Sequence, residues 1–330
     1  MIIVEFYDGQ GLGNQLWVYC AGRSIAEELN MSFGLIGFEK FKGRSFLDLN
    51  DDLSVPKKFI INPKLEKYEI FNEDLFFDER INYYSSDFDK RVLELKGNIK
   101  LNGLFQSEKY FFGKKDRPRK YLSLKFQNSN IMHIDSDVCL LNVRGGEYKN
   151  HKKLILPYSY WQDAIINMRN HYNVNKFVIV TDDYKYAKAL FPEYKVISNS
   201  IENCYKALHA AKFLIVSNSS FSYFPIKTAC DEKIVIAPQY WARFSCDLPI
   251  WASPANLYTS WLWQKRNGKL VSYDECLPEC ITVSNHYNDT FLIKINGEYL
   301  KTKKFKDFFS KKTKNKIRRI LSHIFPKSFG

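Results

Sequence analysis

Long apolar runs are missing from this chain, and no stretch reaches the eighteen or so uninterrupted apolar residues that a membrane-spanning helix needs. The opening Met1-Ile2-Ile3-Val4-Glu5 meets a charge after three apolar residues, so no leader peptide with a basic start and a long apolar centre is expected. Cysteine is sparse: seven are scattered over 330 residues, an odd number without a paired pattern. That predicts a reducing compartment and argues against a disulfide framework. Cys276-Leu-Pro-Glu-Cys280 has the wrong spacing for a zinc knuckle and lacks a second pair, so it reads as a loop without metal. Acidic residues are scarce in one region only. Residues 301–330 hold eleven Lys or Arg against the single acid Asp307, so most of the formal net charge of +13 belongs to the tail. The first 300 residues are nearly neutral, and no nucleic-acid partner is expected.

The remainder has a globular composition, 45% hydrophobic and 16% aromatic with 26% charged residues, long enough for two domains with their own cores. Apolar strand-like runs alternate with helical patterns. After Ile2–Phe6 a helix is expected over Gln15–Leu29, then a strand over Ile99–Leu104. In the second half strands are expected at Val138–Val143, Lys176–Thr181, Val196-Ile197, Phe213–Ser217 and Lys233–Pro238. Helices fall between them at Tyr158–Tyr172, Tyr184–Leu190, Ile201–Ala211 and Ser222–Ala229. Apolar strands alternating with helices predict parallel sheets covered on both faces, hence an α/β fold. The expected divisions are 1–135, 136–275 and a C-terminal extension over 276–330.

Four segments carry chemistry. Gly9-Gln-Gly11-Leu-Gly13-Asn14-Gln15 lies between the first strand and the first helix, where glycines allow backbone N–H groups to approach a phosphate and a helix N-terminus favours an anion. A dinucleotide fingerprint wants glycine where Asn14 stands, which disfavours a nicotinamide dehydrogenase. A ligand-free tight turn is the plain alternative. Arg144 directly follows Val138–Val143, inside Arg144-Gly145-Gly146-Glu147-Tyr148, at a strand end where α/β sheets hold ligands. Its guanidinium can grip a diphosphate and offset leaving-group charge, or it can pair structurally with Asp182 or Glu147. Thr181-Asp182-Asp183 offers Asp182 to a base or ribose, with Asp183 suited to capping the next helix. Ser217-Asn218-Ser219-Ser220-Phe221-Ser222 presents hydroxyls at a helix start, an anion site or an ordinary serine cap.

Taken in order, Gly11-Leu12-Gly13-Asn14-Gln15-Leu16, Phe105-Gln106-Ser107-Glu108-Lys109-Tyr110-Phe111, the Arg144 segment, Val180-Thr181-Asp182-Asp183, Asn218-Ser219-Ser220-Phe221-Ser222 and Ala237-Pro238-Gln239-Tyr240-Trp241 resemble the bacterial α-1,2-fucosyltransferases of glycosyltransferase family 11. The resemblance covers roughly residues 1–245. It implies a GT-B fold of two Rossmann-like domains facing a central cleft, and an inverting, metal-independent transfer from GDP-fucose or another GDP-sugar to a glycan acceptor. It places Arg144 on the donor β-phosphate, with Gly11, Gly13, Asn14, Tyr148, Asp182 and Ser219, Ser220, Phe221 and Ser222 around the donor. Gln106 and Glu108 fall on the acceptor side. Arg144, Asn14 and Glu147 are the candidate catalytic residues; the family assigns no general base here, and Glu147 and Glu108 are candidates because a carboxylate near the acceptor hydroxyl suits proton removal. The family usually reads His-x-Arg-Arg-Gly-Asp-Tyr at the arginine motif, whereas this chain has Asn142, Gly145 and Glu147 at the first, fourth and sixth positions. One guanidinium is thereby lost, a charge-assisted donor worth about 1.5–3 kcal/mol.

In the tail, Phe305, Phe308, Phe309, Ile317, Ile320, Leu321 and Ile324 recur at helical spacing among Lys and Arg. Such a helix over 301–325 suits an anionic membrane surface. The sequence thus predicts a cytoplasmic glycosyltransferase peripheral to the inner membrane and acting on a surface glycan or lipid-linked oligosaccharide, with no cofactor beyond its nucleotide-sugar. Two rivals remain at this point. A metal-dependent GT-A transferase would use Asp135-Ser136-Asp137, although that triplet precedes its strand. A non-catalytic carbohydrate- or lipid-surface-binding protein would use the aromatic excess.

Overall fold

The computed structural model describes residues 1–49, 60–62, 67–78, 83–125, 133–197, 200–289 and 294–296. The expected tail helix over 301–325 lies outside them. Two parallel sheets dominate, as the apolar strands dictate. The N-terminal sheet holds β1 (Ile2–Glu5), β2 (Phe33–Ile36), β3 (Glu69–Asn72) and β4 (Ile99–Asn102) in the order β2-β1-β4-β3, all parallel. The C-terminal sheet holds β5 (Val138–Val143), β6 (Lys176–Thr181), β7 (Lys195–Ile197), β8 (Phe213–Val216), β9 (Ile234–Pro238), β10 (Leu262–Gln264) and β11 (Leu270–Val271). Its order is β7-β6-β5-β8-β9-β10-β11, parallel except for the last pair. That is the doubly wound order, with its topological switch point between β5 and β8. The two parallel α/β units, each with its own strand order, fit the expected GT-B architecture.

Local sequence explains the elements. All six residues of β5, Val-Cys-Leu-Leu-Asn-Val, are buried because helices cover both faces of the sheet. Between β5 and β6, α2 (Tyr158–Tyr172) buries Tyr160, Trp161, Ala164, Ile165 and Met168, one helical stripe, and stops at Asn173 in the left-handed region (φ 54°). The helix α1 (Leu12–Glu28) is different. It is buried almost all round, from Leu12 to Ala26, because it lies between its own sheet and the C-terminal unit. Trp17 of α1 packs on Tyr223 at 4.2 Å between ring centroids, and on Phe111 and Tyr258 at 5.8 and 5.7 Å. One apolar core therefore runs through both units.

Residues 273–289 correct an expectation. The Cys276–Cys280 stretch is not a loop but part of a long helix, Tyr273–Asp289, with Pro278 inside it. Its start is a reciprocal capping box: Ser272 N–H donates to Glu275 Oε2 (2.7 Å) and Glu275 N–H to Ser272 Oγ (3.2 Å). This helix leads the chain back to the N-terminal unit, where Tyr287 stacks on Phe76 at 5.0 Å and Lys294–Asn296 pairs antiparallel with Asp74–Asp78.

A buried carboxylate fixes the loop after β4. Glu73 accepts from Leu104 N–H (2.7 Å), Phe105 N–H (2.9 Å) and Tyr110 O–H (2.9 Å), and holds Phe105 at φ 49°. Burial raises its pKa to about 7 despite those donors. The folded protein therefore keeps a proton that the unfolded chain has already released. Stability is full below the ordinary glutamate range, falls as pH rises from about 4.5 to about 7, and is level above that for this group. The whole fall is about 3 kcal/mol at most. Glu73→Gln is expected to flatten that slope in chemical denaturation between pH 4.5 and 7; an unchanged slope would remove Glu73 as its source.

Candidate active site

The switch point of the C-terminal sheet gathers the candidate site. The strands β5 and β8 are neighbours, and Ser217 N–H continues their ladder by donating to Asn142 O at 3.1 Å. Beyond their carboxyl ends the chain supplies Arg144 from one side and Ser217–Ser222 from the other. Around this point four buried polar atoms have no hydrogen-bond partner among the described residues: Asn142 Oδ1, Arg144 Nε, Ser217 Oγ and Asn218 Oδ1. Asn142, Ser217 and Asn218 are only 7%, 2% and 4% exposed. The Asn218 amide is oriented by its Nδ2 donating to Leu154 O at 3.1 Å, which leaves Oδ1 as a free acceptor. Each such atom costs about 1–3 kcal/mol unless something satisfies it, so the cluster is built for a polar ligand. Gln10 Oε1, in the glycine loop, is a fifth buried atom of this kind.

Arg144 is held at one end only. Its Nη1 lies 2.5 Å from Asp182 Oδ2, and its guanidinium sits 5.4 Å from the Tyr148 ring centroid. Asp182 also accepts from Gly145 N–H at 2.9 Å, so one carboxylate positions both the arginine and the turn behind it. The turn requires Gly146, since a Cβ there would lie 2.2 Å from Asp182 Oδ2. Tyr148 O–H donates to Asn218 O at 3.1 Å, tying the arginine turn to the serine segment. The structural pairing of Arg144 with Asp182 therefore exists, and it leaves the Nε edge unused. Asp183 caps the helix Tyr184–Leu190 through Tyr186 N–H (3.1 Å), and an ion pair with Lys149 holds its carboxyl below the usual range.

The glycine loop meets the serine turn directly. A Cβ on Gly13 would lie 2.6–2.7 Å from the backbone of Ser220 and Phe221, so this glycine allows two backbones from different units to touch. Asn14 Oδ1 accepts from Ser220 Oγ (2.8 Å) and from Gln106 Nε2 (2.9 Å). Gly11, the residue before α1, has no neighbour within 4 Å of its virtual Cβ and faces open space, as does Gly9. Within the turn Ser219 accepts from Phe221 N–H (3.4 Å), and Ser222 is fully buried, its hydroxyl donating to Ser219 O (2.9 Å).

The structure thus brings Gly13, Asn14, Gln106, Ser219, Ser220, Phe221 and Ser222 together, with Arg144, Tyr148 and Asp182 linked to them through Asn218. Glu108 lies elsewhere. It accepts from Tyr223 O–H (2.9 Å), Lys227 Nζ (2.9 Å) and Thr259 N–H (2.8 Å), an anchor between the two units. Glu147 is exposed on the short turn after Arg144. Asp135 and Asp137 sit at the opposite, amino end of β5, and pair with His133 and Lys176. Among the described residues no group of three or more His, Cys, Asp or Glu is placed to hold a metal ion. Ser217 and Asn218 stood in the serine segment singled out from the sequence but were given no role of their own, and Asn142 and Gln10 were named only as neighbours of Arg144 and the glycines. Their signal was present in Asn142, a lone polar residue near the end of an otherwise apolar strand.

No protein-family model matches the chain. It is 24% identical over 265 residues, 70% of this chain and 89% of the relative, to an alpha-1,2-colitosyltransferase of Escherichia coli. Among solved structures it is similar to the fucosyltransferase NodZ from Bradyrhizobium, at 13% identity and TM-score 0.41 over 69% of this chain and 92% of that one. It is also similar to the E. coli heptosyltransferase WaaC with ADP, at 9% identity and TM-score 0.38 over 72% and 87%.

Proposed function

We propose that the chain is an inverting glycosyltransferase that moves a sugar, fucose or a relative of it, from a GDP-activated donor to a hydroxyl of a surface glycan or lipid-linked oligosaccharide. The observation that carries this reading is the switch-point cluster: one arginine and three buried, unsatisfied polar side chains at the carboxyl ends of two adjacent parallel strands. The similarity to the colitosyltransferase supports the reaction class.

In the proposed reaction the acceptor hydroxyl attacks the anomeric carbon from the face opposite the nucleotide. The bond from that carbon to the β-phosphate oxygen breaks, and negative charge collects on the diphosphate. Arg144, already oriented by Asp182 and Tyr148, stabilises that charge, while backbone N–H groups near Gly11 receive the phosphates. Ser219, Ser220 and Asn14 hold the wall between the two units. The acceptor proton needs a base. Glu147, on the turn after Arg144, is exposed and has no ion pair among the described residues, whereas Glu108 already holds three donors. Screening purified protein against a panel of nucleotide-sugars tests the donor. Hydrolysis of a GDP-sugar at least tenfold faster than of UDP- or ADP-sugars is expected, and no nucleotide preference at all would refute the reading.

We further propose that the basic tail over 301–325 holds the enzyme on the cytoplasmic face of the inner membrane. Sedimentation with vesicles containing anionic lipid, lost on raising the salt, is the expected result. Equal binding to neutral vesicles would exclude it.

A further inference from the structure

A cavity of about 710 Å³ lies at the end of the C-terminal sheet opposite the switch-point site. Lys233 and Val235, where β9 begins, and Trp261, just before β10, line it. Arg144 and Ser217 stand where parallel strands of the same sheet finish, so the two sites occupy opposite edges of one sheet. None of Asn14, Arg144, Asp182 or Ser219–Ser222 contributes to the lining.

The lining is amphiphilic. Phe111, Ile226, Leu257, Leu277 and Ile281 give it an apolar wall, and Ile281, on the helix Tyr273–Asp289, is 49% exposed. Five cations, Lys109, Lys115, Arg119, Lys227 and Lys233, stand against three carboxylates, Glu108, Asp231 and Glu232. Lys227 is neutralised by Glu108 and Lys109 by Asp87, but Lys115 and Arg119 are exposed and have no ion pair among the described residues. A wall of branched and aromatic side chains beside Lys115 and Arg119, in a lining where cations outnumber carboxylates five to three, matches a molecule with an anionic head and a single apolar chain. The volume falls in the range of ordinary small-molecule sites, about 300–1,000 Å³.

We propose that this cavity binds a single-chain anionic amphiphile, its phosphate head at Lys115 and Arg119 and its alkyl or isoprenyl chain along Ile281 and Leu277. It is a binding site separate from the switch-point site and independent of the donor assigned there.

The test uses the full chain with dodecyl phosphate below its micellar concentration, followed by calorimetry. Saturable binding is expected, with about tenfold weaker binding of the uncharged dodecyl maltoside and none of inorganic phosphate alone. Lys115→Glu and Ile281→Glu, both at exposed positions that keep the fold, are each expected to weaken dodecyl phosphate about tenfold, while GDP binding stays as in the parent protein. Equal binding of the maltoside, or parent-like binding by either variant, overturns the proposal. Loss of GDP binding in both variants would overturn the separateness of the two sites.

Discussion

Replacing Arg144 by alanine is expected to lower kcat for sugar transfer about 10²–10³-fold, with a smaller change in the donor KM. The range is that of removing one preorganised donor from a site where charge develops in the transition state. The side chain is about one-third exposed, and Asp182 retains its bond from Gly145 N–H, so the fold should survive the change. Arg144→Lys should recover part of the loss. A lysine restores a point charge but not the planar fork that can engage Asp182 with one edge and a phosphate with the other. If alanine raised KM and left kcat alone, Arg144 would be a ground-state contact and the proposed charge stabilisation would be wrong.

Gly13→Ala should be the most damaging single-methyl substitution in the glycine loop. Its Cβ would fall 2.6–2.7 Å from three backbone atoms of Ser220 and Phe221, and backbone cannot swing aside as a side-chain end can. The two units must separate locally, which stretches the Asn14–Ser220 bond (2.8 Å) and disturbs Trp17 on Tyr223 one turn further along α1. Overpacking of this kind costs about 1–3 kcal/mol, with activity lost alongside stability. Gly11→Ala is the informative partner. Gly11 has φ −69°, open to any residue, and empty space where a Cβ would go, so stability should hardly change. Reduced donor affinity with unchanged thermal unfolding would mark Gly11 as ligand-facing. Equal destabilisation by the two substitutions would contradict the packing described for Gly13.

These two glycines show how far sequence reading reaches. The G-x-G-x-G pattern correctly marks a strand-to-helix turn, yet it cannot distinguish a glycine kept open for a ligand from one that lets two backbones touch. The distinction needs the partner, Ser220, which is 207 positions away. Glu108 illustrates the same limit. A carboxylate in a motif reads as a potential base, and only the fold shows three donors already on it. Strands such as Val138–Val143 and Lys176–Thr181 were legible to the residue, because parallel strands buried on both faces read as continuous apolar runs. The helix Tyr273–Asp289 was hidden by Pro278 and by two cysteines that drew attention to metal chemistry. Its Ser272–Glu275 capping box was the signal available. The start of α1 was placed three residues late, since a helix buried all round has no polar face to set its period.

Titrating GDP into the parent protein and into Ser217→Ala and Asn142→Ala tests the switch-point site most directly. Measurable GDP affinity is expected in the parent and at least a tenfold loss in one of the two variants, with thermal stability unchanged or raised as an unsatisfied buried group is removed. No GDP affinity in the parent, or variants that bind as tightly while unfolding more readily, would contradict it.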